Sequence, residues 1–214
     1  TIIMVMALKP IYDLAKIKRV IVSTYQAVSG AGKEGIDELD AQVREHSEGR
    51  EMTANILPSA SAEKHYPIAF NLIPQIDVFC DNLYTKEEMK MVNETKKIME
   101  DYEMRITATT IRVPVYRSHS ESVNIELEKE VDLGAMREAL AKFPGVTVQD
   151  DPSKQEYPMP LYTSEKDDVY VGRLRRDESC EKSYNMWVVG DQIRKGAALN
   201  TLQIAETMIK NGWI

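Results

Sequence analysis

Arg112 and His119 stand seven residues apart in IRVPVYRSHSES, residues 111–122, where an alternating apolar run passes into hydroxyls and charges. A guanidinium grips a carboxylate through two parallel hydrogen bonds. An imidazole moves protons close to neutral pH. On a regular strand, residues seven apart point to opposite faces. Pro114 and the polar residues after Val115 predict a bulge or bend that turns both groups into one cleft. A strand-edge arginine and a surface histidine fit the same stretch.

Two other places combine reactive types. VNETKK sets Glu94 and Lys97 three apart on one helix face, either a carboxylate for an ammonium beside a lysine for an anion, or a surface ion pair. STYQAVSGAG, residues 23–32, runs from a β-rich segment into a loop with Gly30 and Gly32, whose exposed amides suit a phosphate or amide group. It is not a GxGxxG dinucleotide fingerprint, and a structural turn accounts for it equally well. Cys80 reads as a core thiol, and Cys180 lies beside Glu178 and Glu181, which oppose a thiolate. His46 and His65 lack metal-ligand spacing, so no metal is expected. Arg173, Arg175 and Arg176 read as strand or subunit-contact residues.

The scaffold for these groups is read from periodicity. Residues 1–14 form a helix that Pro10 bends or ends, and 19–25 a strand. A helix follows through Ile36, Leu39 and Val43, then an irregular stretch over 47–66 and a short strand at 73–80. Thr85 with Glu88 makes a capping box for a helix whose buried stripe is Met89, Val92, Ile98 and Met99. Strands at 105–116 and 122–128 precede a helix that stops near Pro144–Gly145. A short strand from Val146, a hairpin pair in DVYVGRLRR and SYNMWVV, and a last helix over 191–210 complete the chain. Strands outnumber helices, and several neighbours are hairpin-like instead of being joined by helical crossovers. The fold class is therefore α+β: a large, mostly antiparallel or mixed sheet covered by helices.

Composition narrows the class. With 214 residues, 43% apolar and 29% charged, the chain is long enough for one large domain. A net charge of −7 gives no electrostatic reason for a nucleic-acid or anionic-membrane partner. No apolar run approaches a membrane span. Two cysteines and no signal peptide point to the cytoplasm. The apolar start TIIMVMAL reads as a helix cut at its cap, which predicts an upstream segment.

Taken in order, VIVSTYQAVSGAG, HYPIAFNLIPQIDVF, EEMKMVNETKKIM, IRVPVYRSHSESV, VGRLRRD and MWVVGDQIRKGAALNTLQIAE resemble the C-terminal part of the aspartate-semialdehyde dehydrogenases over essentially the whole chain. The resemblance implies a catalytic and dimerisation domain over 1–190, a homodimer, and a helix over 191–214 that packs on a nucleotide-binding domain absent here. It implies reductive dephosphorylation of L-aspartyl-4-phosphate with NADPH to aspartate semialdehyde, for lysine, methionine and threonine synthesis. A cysteine attacks the acyl phosphate in that family, and hydride then reduces the thioester.

By resemblance, His119 handles protons and Gln26 orients the substrate; Arg112 meets the α-carboxylate, Glu94 the α-ammonium and Lys97 the phosphate. Ser29 and Gly30 approach the NADP cofactor, with Pro67, Gln192 and Asn200 as further contacts. Thr1 and the residues after it match those that follow the family's nucleophile, so neither that cysteine nor the glycine-rich nucleotide-binding start is present, and the chain alone is expected to lack turnover. The apolar stripe Ile193, Ala197, Leu202, Ala205 and Met208 is expected to lack its usual cover. A non-catalytic dimerisation or aspartate-like-ligand module is the alternative. A scaffold for N-acetylglutamyl phosphate is weakened by the carboxylate expected at the ammonium.

Overall fold

Alternation of buried and half-exposed residues runs through IKRVIVSTYQ, and this segment becomes β1 (Ile17–Gln26), an interior strand of a six-stranded sheet. The computed structural model describes residues 1–214. The remaining strands are β2 (Arg105–Arg112), β3 (His119–Leu127), β4 (Val146–Val148), β5 (Val169–Arg176) and β6 (Ser183–Gly190). Their spatial order is β2-β1-β3-β6-β5-β4. The β1–β2 and β4–β5 pairs are parallel and the other three antiparallel, so the sheet is mixed.

Three helices pack toward one face: α1 (Ile2–Ala15), α3 (Lys86–Met99) and α4 (Leu133–Lys142). Between α1 and the sheet lies a cluster of 26 buried apolar residues, with Met4, Leu8 and Ile11 from the helix meeting Val22, Ile125 and Met186 from the strands. Each fully buried side chain of this size stabilises the fold by about 1.5–3 kcal/mol. Pro10 sits inside α1 without ending it. A smaller cluster of six buried residues joins α2 (Lys33–Ser47) to the loop through Leu57, Ile68 and Ile73. There the buried Gln42 carboxamide oxygen accepts the backbone N–H groups of Ile68 and Ala69, fixing a long irregular stretch.

The capping box at Thr85 forms as the sequence predicts, and it does a second job. Glu88 accepts the Thr85 N–H at 2.7 Å with one carboxylate oxygen and the Thr110 N–H at 2.9 Å with the other. β2 is an edge strand, and this bond satisfies one of its outward amides while docking α3 on it. The buried residues of α3 are Glu88, Met91, Thr95 and Met99, so the expected stripe is rotated: Ile98 is exposed, and Met89 and Val92 only half-buried. Residues 73–80 make only isolated bridges, Ile73 to Arg112 and Phe79 to Thr85, instead of a strand. Cys80 is half-buried there, outside the core, and Cys180 is exposed. No helix is long and apolar enough to cross a membrane.

Candidate functional site

Arg112 and His119 do not share a bent strand. β2 ends at Arg112, β3 begins at His119, and both strands pair with β1, which lies between them. Residues 113–118 therefore pass over the end of β1. The passage is held by Val113 N–H to the Gln26 carbonyl (3.0 Å), Val28 N–H to Val115 (2.8 Å) and Ser29 N–H to Tyr116 (3.2 Å). Its last residue, Ser118, is buried with φ 71°, and its N–H donates to Gln192 Oε1. A left-handed non-glycine residue is costly, and this one turns the chain immediately before the histidine.

Register then decides what meets. Residues paired across neighbouring strands share a face, and the helix-covered face changes character row by row. Ala108, Val22, Val123 and Met186 form an apolar row; Thr110, Thr24, Glu121 and Val188 form the next. Arg112 beside Gln26, and His119 beside Gly190, form the last. The polar end of this face opens into a cavity of about 360 Å³ beside the first turn of α1 and one side of α3. That volume lies within the range of small-molecule sites. A Cβ at Gly190 would lie 3.2–3.3 Å from Ile3 carbons, so the missing side chain lets α1 approach this closely.

Each polar group is oriented by another. Thr24 Oγ1 donates to Gln26 Oε1 at 3.1 Å, and Gln26 Nε2 donates to Glu87 Oε1 at 3.3 Å. Lys90 Nζ lies 3.5 Å from the other oxygen of Glu87. Arg112 Nη1 donates to the Ala27 carbonyl at 2.7 Å, while its buried Nε has no partner. A Cβ on Gly30 would fall 2.6 Å from Arg112 Nη1, so glycine is what allows the guanidinium its seat. The Ala27 N–H donates to His119 Nδ1 at 3.1 Å. The neutral ring therefore carries its hydrogen on Nε2.

The electrostatics are those of a desolvated site. Burial lowers the Arg112 pKa to about 10, opposed by the charge of Glu87, so the group stays cationic at neutral pH. The His119 ring is held well below its usual value, by burial first and by the nearby Arg112 and Lys90 charges. The ring is neutral at physiological pH. Glu121, two residues along the same strand face, is pushed up to about 7, again by burial first, with the Thr1 amino group lowering it and the Glu87 charge raising it.

The cavity lining includes Gln26, Gly30, Glu94, Arg112, His119 and Gln192. Ser29 sits just behind it, its hydroxyl accepting from Gln192 Nε2 at 2.7 Å. Gln192 thereby ties the turn at 28–31 to Ser118, and its carboxamide is occupied at both ends. Lys97 is exposed and outside the lining, as are the half-buried Pro67 and Asn200. The pair that α3 presents with its charges in contact is Glu87 and Lys90, seven residues closer to the helix start than the Glu94–Lys97 pair read from the sequence. The signal was present, since EEMK has the same i,i+3 spacing. Glu121 was also missed, hidden inside a strand whose alternation it obeys.

Residues 8–195 match the family described as semialdehyde dehydrogenase, dimerisation domain. The aspartate-semialdehyde dehydrogenase of Aquifex aeolicus (strain VF5) is 53% identical over 214 residues, covering 100% of this chain and 61% of that protein. That of Bacillus subtilis (strain 168) is 50% identical over 211 residues, covering 98% and 61%. The chain thus spans about three-fifths of the length of these curated relatives. Among solved structures, aspartate semialdehyde dehydrogenase II from Vibrio cholerae, one crystal form of it complexed with ASA, superposes with a TM-score of 0.90 at 44% identity, covering 97% of this chain and 59% of that one.

Proposed function

The chain belongs to the semialdehyde dehydrogenase dimerisation-domain family, and from that premise we propose that it forms the substrate-recognition part of an NADPH-dependent aspartate-semialdehyde dehydrogenase. The reaction is the reductive dephosphorylation of L-aspartyl-4-phosphate to L-aspartate 4-semialdehyde. The observation that carries this reading is the convergence of Arg112, Gln26 and His119 from three adjacent strands on one cavity, with Glu87 and Lys90 facing them from α3. A dicarboxylic amino acid activated as a phosphate has an α-carboxylate, an ammonium and a phosphoryl group. The cavity offers a buried guanidinium for the first, two carboxylates on α3 for the second and a lysine for the third.

In this reading Arg112 takes the α-carboxylate through its unpartnered Nε and the free part of its fork. Glu87 and Glu94 face the ammonium, and Lys90 takes the phosphoryl charge that the sequence reading gave to Lys97. Gln26, locked by Thr24 and Glu87, orients the reacting carbonyl. His119 offers Nε2–H to the oxygen on which charge develops. A nicotinamide cofactor supplies hydride when bound. Ser29 and Gly30 lie beside the site where it would approach, and the chain has no GxGxxG loop of its own, so the nucleotide is held mainly by residues outside it. The helix α6 (Leu199–Lys210) has no buried residue, and Leu202, Ile204 and Ile209 are exposed, in keeping with a face that covers such a second unit. The other face of the sheet carries Tyr25 and Trp187, whose rings lie 5.5 Å apart, and is the surface for a second copy.

Titration calorimetry of the chain with L-aspartate 4-semialdehyde tests the reading. Binding is expected, and Arg112→Ala should weaken it about tenfold to a hundredfold, the worth of a charge-assisted hydrogen bond. A folded chain that ignores the ligand, or an Arg112→Ala chain that binds it equally, would overturn the assignment. The chain alone is expected to show no NADPH-dependent turnover of the acyl phosphate.

A further inference from the structure

Glu121 has no part in the reading above, yet it is 3% exposed, lines the cavity, and leaves its Oε2 buried with no hydrogen-bond partner. Two other buried atoms around the same space are likewise unpartnered: Arg112 Nε and Thr1 Oγ1. Buried polar atoms are almost always satisfied, so three around one cavity mark the position of a missing ligand group. An arginine N–H only donates and a hydroxyl is free to donate, so the group these atoms await is an acceptor.

A carboxylate at Glu121 would repel such an acceptor, whereas a carboxylic acid donates to it. We propose that Glu121 is a further ligand-contacting residue of this cavity, a protonated carboxyl that donates a hydrogen bond to an anionic group of the ligand. The proposal rests on the anionic substrate class proposed above. The titratable groups facing the same space are Glu87, Lys90 and Glu94 from α3, Arg112 from β2, the neutral His119 from β3 and the amino group of Thr1. Ionising Glu121 would add a third carboxylate beside Glu87 and Glu94 and so weaken the attraction of Arg112 and Lys90 for an anion. Burial and the Glu87 charge already favour the acid form. An anion bound beside it favours that form further, so binding and proton retention are linked.

The test is calorimetry of the chain with L-aspartate 4-semialdehyde and with succinate, in buffers of different protonation enthalpy, between pH 6 and 8.5. Proton uptake on binding is expected near neutral pH, with affinity falling about tenfold per pH unit once Glu121 ionises in the free chain. Glu121→Gln, which keeps a donor, should bind without this uptake and outperform the parent chain at the alkaline end. The infrared band of a protonated carboxylic acid in the parent chain, shifted by ligand, provides a reading should the variant fail to fold. Equal proton uptake in Glu121→Gln, or no such band at neutral pH, would overturn the proposal. Binding that persists without uptake defeats the role of Glu121 alone, whereas absence of binding by the parent chain defeats the function.

Discussion

A guanidinium, a carboxamide and an imidazole stand abreast because three backbone neighbours put them there. Arg112 and His119 were readable from their types and their seven-residue spacing, whereas Gln26 was reached only through the family resemblance. The charges from α3 were harder. EEMKMVNETKK holds two carboxylate–lysine pairs one heptad apart, on nearly the same helix face but about 10 Å apart along the axis. Only the docking of the helix start on β2 decides which pair is near the guanidinium, and no local pattern reports it. Lys90→Met is therefore expected to weaken binding of an acyl-phosphate analogue at least about tenfold, while Lys97→Met leaves it unchanged. Equal losses in the two variants would return the anion contact to Lys97.

The same scale holds a pH signature. Glu121 is shifted from 4.5 to about 7 in the folded chain, by burial first, against the Thr1 amino group and with the Glu87 charge. Its folded-state pKa exceeds the unfolded one, so between these values the native chain keeps a proton that the unfolded chain has released. Its contribution to stability then falls as pH rises through that window and is level above it. Stability of the parent chain relative to Glu121→Gln, read from urea midpoints, should decline from pH 4.5 to 7. A flat difference would mean that the carboxyl is ionised throughout.

Among the elements, α3 shows how a local motif acquires a tertiary task. The capping box was legible from Thr85 and Glu88, but the bond to Thr110 N–H was not, since it joins residues 22 apart. Thr85→Ala should cost about 1 kcal/mol, as a lost cap does. Glu88→Ala should cost about 2–3 kcal/mol, because two buried amides lose their acceptor. Urea unfolding distinguishes these; equal losses would show that the edge-strand bond contributes nothing. Residues 73–80 teach the opposite lesson. Their β-rich letters form only bridges, with Ile73 exchanging two backbone bonds with Arg112 and so covering the end of an exposed edge.

For the molecule as a whole, the α+β class followed from strand count and hairpin spacing, and the mixed sheet bears it out. The strand order did not follow, because consecutive β2 and β3 read as neighbours while β1 lies between them. The two faces of the sheet also have different fates: one is filled by α1, α3 and α4, and the other leaves Tyr25 half-buried. The match is to a family described as a dimerisation domain, and this face is the proposed place for a second copy. Sedimentation is expected to show a dimer, and Tyr25→Glu a monomer, since a buried unpaired charge is too costly at such an interface. A parent chain that sediments as a monomer at every concentration would remove that surface from consideration.

The passage over β1 has one more implication. Because side chains alternate along β3, the six residues 113–118 act as a ruler as well as a tether. A single-residue insertion or deletion there that slipped β3 by one against β1 would give the imidazole's place to a neighbour and send the ring to the far side of the sheet. Length, more than composition, is what this short crossing contributes to holding that register.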